Sequence, residues 1–157
     1  MELLIREFVD DDISSILNLL YDLGRPRPLD DNEVRVFKNK LGDYFLDSQK
    51  NIIVAQQNEK LVGVVSMIYL QRLNRVKTEM YIPELIVTEK LRHLGIGKKL
   101  MQYCMELAKK KNCYRIRLES GNSRKESHQF YKSMGFEQSS HSFQSMCNDS
   151  QENTVPA

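Results

Sequence analysis

One stretch constrains this chain more than any other: Leu85-Ile86-Val87-Thr88-Glu89-Lys90-Leu91-Arg92-His93-Leu94-Gly95-Ile96-Gly97-Lys98-Lys99-Leu100. It opens with an apolar run that reads as a strand. It closes on helical spacing through Leu100, Cys104, Leu107 and Ala108, a helix expected from about Gly97 to Lys110. Between them lies R-x-x-G-x-G. A strand that turns through glycines into a helix aims backbone N–H groups outward. Small residues let an anion approach them, and the helix dipole attracts it. Arg92 adds a charged fork suited to phosphate oxygens. The loop reads as a pyrophosphate cradle, with a plain strand-to-helix turn as the alternative. It is neither the P-loop pattern G-x-x-x-x-G-K-[ST] nor the dinucleotide fingerprint G-x-G-x-x-G.

The rest of the chain supplies a frame for that loop. Leu3 to Phe8 reads as a strand. Asp10, Asp11 and Asp12 offer cap and first-turn carboxylates to a helix through Ile13, Ile16, Leu17 and Leu20, closed by Gly24. Arg25-Pro26-Arg27-Pro28 is a connector. Asp30 and Asp31 cap a second helix with Val34, Phe37, Leu41, Tyr44 and Phe45 on one face. Asn51–Ala55 and Leu61–Leu70 read as a hairpin around Gln57-Asn58-Glu59-Lys60. Glu79 to Val87 reads as a strand in which Pro83 implies a bulge or an unpaired edge. Tyr114 to Leu118 alternates outward arginines with Ile116 and Leu118. Ser123-x-x-Glu126 has capping-box spacing and opens a helix that Gly135 ends. Further strands are expected from Phe136 and over Ser140–Met146. Helices alternate with strands, which implies a mixed α/β sheet with helices on both faces.

A second constellation follows the loop by one strand: Arg124-Lys125-Glu126-Ser127-His128-Gln129-Phe130-Tyr131-Lys132-Ser133-Met134-Gly135-Phe136. R-x-x-G-x-G after one strand, with F-Y-x-x-x-G-F after the next, resembles the GCN5-related N-acetyltransferase (GNAT) family. The pattern R-x-x-[AS]-H-x-F-Y is similar to a branch of small bacterial members. The general likeness covers residues 2–146, and its specific motifs lie within 84–136. It implies the GNAT fold: a mixed, mostly antiparallel sheet of six to seven strands, helices on both faces, and a splayed cleft for acyl-CoA. It implies a single N-acetyltransferase domain over 1–146, followed by a polar tail over 147–157.

The resemblance also implies roles. The pantetheine arm would pair with backbone groups of Ile86 and Val87. The pyrophosphate would sit on the N–H groups of Arg92, His93, Leu94, Gly95, Ile96, Gly97 and Lys98. Asn122 is a candidate for the pantetheine, because Arg124 stands where many members have asparagine. Tyr131 would protonate the departing thiolate as general acid; a core tyrosine beside Phe130 is the other reading. A general base must take the amine proton. Many members carry glutamate where this chain has Pro83, so Glu84 next door is the candidate. Glu79 and Glu119 are weaker ones, and each of these carboxylates also reads as a surface charge. His128 reads either as an acceptor-side group or as a packed histidine.

The counts bound the remaining classes. The chain has 157 residues, which suits one domain. Lys and Arg number 23 against 21 Asp and Glu, too balanced for a dedicated nucleic-acid binder. No apolar run is long enough to span a bilayer, and the first residues lack a signal-peptide pattern. Cys104, Cys113 and Cys147 have no metal or disulfide spacing, which fits a reducing cytoplasm and no metal. Expected partners are acetyl-CoA and a primary amine attacking directly, with no nucleic acid or membrane; homodimers are common in the family. The acceptor reads as a small molecule, such as an aminoglycoside-like, polyamine or amino-acid-like amine. Alternatives are a peptide or protein acceptor, and a non-catalytic acyl-CoA-binding module. Asp30, Asp31 and Asp43 read as a lure for a cationic acceptor or as exposed helix-cap acids, and Arg72, Arg75 and Lys77 as a mild pointer to an anionic or peptide partner or as a solvated loop.

Overall fold

Pro83 divides the sheet at the place where the site begins. In the computed structural model, which describes residues 2–147, the expected strand over 79–87 is two strands. β1 (Leu3–Glu7), β2 (Lys50–Gln57), β3 (Lys60–Leu70), β4 (Thr78–Ile82), β5 (Leu85–Val87) and β6 (Cys113–Leu118) form one sheet. Its order is β1-β2-β3-β4-β6, with β5 paired to β3. All pairs are antiparallel except β4 with β6. β3 is 11 residues long, so one of its edges takes two partners in turn. Proline has no N–H for a ladder, and the register against β3 slips by one residue between Ile68↔Tyr81 and Val65↔Leu85.

The pleat sends alternate β3 side chains to opposite faces. Val64 packs with Ile52, Val54 and Ile86 against Ile13, Ile16 and Leu17 of α1 (Ile13–Asp22). Phe37, Leu41 and Tyr44 of α2 (Asp31–Leu46) join the edge of that cluster, and Phe45 stacks on Phe8 with ring centroids 4.2 Å apart. On the other face lies α3 (Ile96–Lys110), which buries Ile96, Leu100, Met101, Cys104 and Ala108. Gly63 points to α3. A Cβ there would lie 3.0 Å from Leu100 Cδ1 and 3.2 Å from the Ile86 carbonyl oxygen. The strand therefore needs a residue without a side chain at this position.

Local chemistry sets the element ends. The hairpin turns on Asn58 and Glu59, both at positive φ (50° and 63°), as a two-residue turn requires. Asp30 caps α2 by accepting from the Glu33 N–H at 2.9 Å. Asp12 does not cap α1 as expected. Its carboxylate accepts from the Val9 N–H and from both Nη atoms of Arg6, at 2.7 and 3.1 Å. Glycine ends α1: Gly24 has φ 86°, and the N–H groups of Gly24 and Arg25 donate to Tyr21 and Leu20 carbonyls.

Contacts divide the chain into two compact units, one ending at Leu118 and one beginning at Glu119. The second unit contains α4 (Lys125–Ser133). Met134 and Gly135 form its closing turn. Gly135 has φ 90°, its N–H donates to the Lys132 carbonyl, and the Phe136 N–H donates to the Tyr131 carbonyl. That is a complete glycine-dependent C-cap. The strands expected from Phe136 and over Ser140–Met146 do not form; this stretch is neither helix nor strand. The expected tail lies outside the described residues beyond Cys147.

Candidate active site

The sheet opens where β5 leaves β4. β4 and β6 stay paired as far as Ile82↔Leu118, and β5 pairs with β3 alone. On an antiparallel ladder, alternate residues turn their backbone groups to the partner. The Ser66 N–H donates to the Glu84 carbonyl and the Thr88 N–H to the Val62 carbonyl. Glu84, Ile86 and Thr88 therefore face β3, while Leu85 and Val87 face the opening. This corrects one expectation. Ile86 spends its backbone on β3, and Leu85 takes its place beside Val87 at the open edge.

The loop then rises in a short 3-10 turn over Glu89–Leu91. The Arg92 N–H is consumed there, donating to the Glu89 carbonyl at 3.2 Å. The cradle of N–H groups therefore starts after Arg92. His93 holds φ 66°, an uncommon conformation for a side-chain-bearing residue that has a cost of order 1 kcal/mol. Gly95 holds φ 86° as the residue before α3, and a Cβ there would meet nothing within 4 Å. The first bond of α3 is Lys99 N–H to the Gly95 carbonyl. The N–H groups of Ile96, Gly97 and Lys98 precede it and have no intrahelical acceptor, and no side chain caps them.

Charge around this helix end is one-sided. The first turn of α3 carries no acid, and Lys98 and Lys99 stand there instead. Cations at a helix N-terminus oppose the dipole unless an anion joins them. α2 shows the usual solution, with Asp31 and Glu33 in its first turn. Arg92 is exposed, and its Nε donates to the Val87 carbonyl at 3.2 Å. That bond aims the guanidinium from the opening of the sheet and leaves both Nη atoms available for an anion. His93, Leu94 and Lys98 are exposed, while buried Ile96 anchors the loop.

Glu84 sits at the break between β4 and β5. Its Oε2 accepts from the Ser66 hydroxyl, and its N–H donates to Ser66 Oγ at 3.2 Å. Ser66 follows Val64 by two, so this pair lies on the α1–α2 face of the sheet. Tyr44 is close enough to feel it: burial pushes the Tyr44 phenol upward, and the charge of Glu84 adds to the rise. A half-buried carboxylate oriented from two sides is a suitable proton acceptor.

Glu79 departs from expectation most. It is 0% exposed, not a surface charge. Arg72 Nε and Arg115 Nη2 donate to its Oε2 at 2.9 and 3.2 Å, as does the Tyr114 hydroxyl at 3.1 Å. Arg117 Nε donates to Oε1. The arginines expected to point outward thus turn onto a buried acid. Burial raises the pKa of Glu79, but hydrogen bonds from Arg117, Arg72 and Arg115 outweigh that and hold it at about 2. So charged and so fully engaged, it is a poor proton shuttle.

In the second unit, Tyr131 is half-buried, with ring centroids 5.2 Å from Phe130 and 5.9 Å from Phe136. Burial pushes its phenol above the usual value of 10.0, partly offset by Arg124. It therefore holds its proton at neutral pH, as an acid must. His128 is a packed histidine whose Nε2 lies 2.8 Å from the Gly121 carbonyl oxygen. Asn122 is exposed. Among the described residues, no three His, Cys, Asp or Glu side chains are placed to hold a metal ion. Burial pushes the Cys104 thiol up to about 12, which removes it as a nucleophile. No described helix is long and apolar enough to cross a membrane.

The chain is an acyl-CoA-dependent N-acetyltransferase. The chain belongs to the acetyltransferase (GNAT) family, whose model matches residues 13–136 and so reaches into both units. Acetyl-CoA is the cosubstrate in this family, and an amine is the acceptor. An aminoalkylphosphonate N-acetyltransferase of Salmonella typhimurium is 24% identical over 135 residues, covering 86% of this chain and 85% of that protein. A transcriptional regulator from Bacillus halodurans C-125 shares 26% identity and a TM-score of 0.81, covering 92% of this chain and 99% of the other. A Trypanosoma brucei acetyltransferase shares 26% identity and a TM-score of 0.75, covering 94% and 99%.

Proposed function

We propose that this enzyme transfers the acetyl group of acetyl-CoA to a primary amine on a small molecule, by direct attack within one catalytic domain over 1–146. The observation that carries the reading is Glu84. A carboxylate stands where β5 parts from β4, oriented by Ser66, beside the open backbone edge of Leu85 and Val87. In this reading Val87 and Leu85 pair with the pantetheine, and the loop from His93 to Lys98 holds the pyrophosphate with Arg92. Asn122 assists at the pantetheine.

The chemistry follows from those positions. An amine is protonated at neutral pH and must lose a proton before it can attack. Glu84 takes that proton, directly or through water. The nitrogen forms a bond to the thioester carbon, and the carbon–sulfur bond breaks as the tetrahedral intermediate collapses. Tyr131 gives its proton to the departing thiolate. Products are an acetamide and CoA. The half-buried, proton-holding phenol of Tyr131 and the inertness of Cys104 both support transfer without an acyl-enzyme.

A small acceptor is supported by the Salmonella typhimurium relative, an aminoalkylphosphonate N-acetyltransferase by name. The free cysteines Cys104, Cys113 and Cys147 favour a reducing, cytoplasmic setting. The test is acetyl-CoA-dependent thiol release against polyamines, aminoglycosides, aminoalkylphosphonates, amino acids and short peptides. Turnover on a small amine supports the reading. Turnover on peptides alone replaces it with a protein acetyltransferase.

A further inference from the structure

We propose that the arginine cluster around Glu79 is an anion subsite, and that it selects amines carrying a phosphate or phosphonate group. The inference rests on the reading of Glu84 as the acceptor-side base, and it names the class of acceptor. Glu79 and Tyr81 are paired with Leu70 and Ile68, so they share the sheet face of Ser66 and Val64. Arg115 and Arg117 are paired with Glu79 and Tyr81 on β6 and lie on that face too. One face thus presents Glu84 with Ser66 first, then Tyr81 under Arg117, with the guanidinium 4.7 Å from the ring centroid. Glu79 with Arg72 and Arg115 comes last.

The cluster holds more cation than its carboxylate needs. Counting Arg72 and Arg115 alone, two guanidiniums share one acid. Arg115 spends Nη2 on Glu79 and keeps Nε and Nη1 for something else, while Arg72 spends Nε on Glu79 and also meets the Tyr114 side chain. Their side chains are 44% and 46% exposed, while Glu79 is 0% exposed. The acid therefore works from beneath, fixing the forks, while the forks face outward. Arg75 lies over the Tyr114 ring at 4.3 Å and meets no carboxylate among the described residues. Fixed guanidinium forks suit a tetrahedral dianion. Spacing narrows the class further. Ser66 to Leu70 is four residues of strand, roughly 13 Å. Amine and anion must therefore be separated by a linker, not carried on adjacent atoms.

The test compares aminobutylphosphonate with butylamine as acceptors, and measures direct binding of propylphosphonate to the CoA-saturated protein. The wild type is expected to favour aminobutylphosphonate at least tenfold in kcat/KM. Arg115→Gln and Arg72→Gln should each raise KM for that acceptor about tenfold, with kcat held and butylamine kinetics unchanged. Propylphosphonate binding should weaken by the same factor. Arg115→Lys keeps the charge beside Glu79, guards against loss of fold, and should restore part of the binding. Equal use of the two amines, or unchanged propylphosphonate binding in Arg115→Gln, overturns the subsite. If neither amine is acetylated yet propylphosphonate binding still depends on Arg115, the subsite stands and the reading of Glu84 fails.

Discussion

Ser66 and Glu84 hold each other from both ends. The serine hydroxyl donates to the carboxylate, and the Glu84 backbone N–H donates back to Ser66 Oγ at 3.2 Å. The strand break at Pro83 makes this possible by slipping the register one residue before β5 begins. If Glu84 is the base, Glu84→Gln should lower kcat about a hundredfold, the scale of general-base catalysis. Ser66→Ala should lower kcat less, by about tenfold, because the carboxylate remains and loses only its orientation. Neither change should alter acetyl-CoA affinity. Steady-state kinetics with both substrates varied separates these outcomes.

The loop before α3 makes a different prediction. Arg92→Ala should raise KM for acetyl-CoA about tenfold with little change in kcat, since a charged hydrogen bond common to ground and transition states is removed. Gly95→Ala introduces no clash, because the space beside it is open. Its cost is the left-handed φ of 86°, about 1 kcal/mol. It should raise the same KM with a smaller loss of stability than any core change.

Gly63 tests the packing of α3 on β3. Gly63→Val should destabilise by roughly 1–3 kcal/mol, the range of overpacked cores. The obstacle includes the rigid Ile86 carbonyl, 3.2 Å from the new Cβ. Because Ile86 belongs to β5, acetyl-CoA affinity should fall along with the melting temperature. Thermal melts with and without CoA check both.

Much of this was legible in the sequence wherever a local rule decides the outcome. Gly135 was recognisable as a helix terminator, and its position holds Tyr131 to Phe136 through a single capping geometry. Asn58 and Glu59 marked the hairpin, and R-x-x-G-x-G marked the loop. What escaped was non-local. Alternation in β6 revealed that Arg115 and Arg117 share a face, but not that Glu79 lies opposite. Recognising Glu79 as a buried acid requires Arg72, Arg115 and Arg117 to meet, and these come from two distant segments. The facing of Ile86 toward β3 depends on a one-residue register slip that proline permits but does not place. The strands expected after Phe136 rested on a few apolar residues among serines and failed.

Glu79 also predicts a pH dependence of stability. Its folded value of about 2 lies below the ordinary 4.5, so the native state keeps the charge to lower pH than the unfolded chain. Its contribution is fully present above about pH 4.5, and is lost progressively as pH falls toward 2. Glu79→Gln should flatten that acid limb. At neutral pH it should cost roughly 2–3 kcal/mol, less than a fully buried pair, because the arginines it leaves are partly exposed. Denaturant titrations at neutral pH and near pH 3 read both effects.

The most direct test of the mechanism is turnover by Tyr131→Phe, measured as CoA release with an acceptor that the wild type uses, beside acetyl-CoA affinity measured by calorimetry. The phenyl ring keeps the contacts with Phe130 and Phe136 and removes only the hydroxyl that carries the proton. The account predicts that kcat falls about a hundredfold while acetyl-CoA binds as before. Wild-type turnover by the variant would contradict it, and would return Tyr131 to the role of a packing residue.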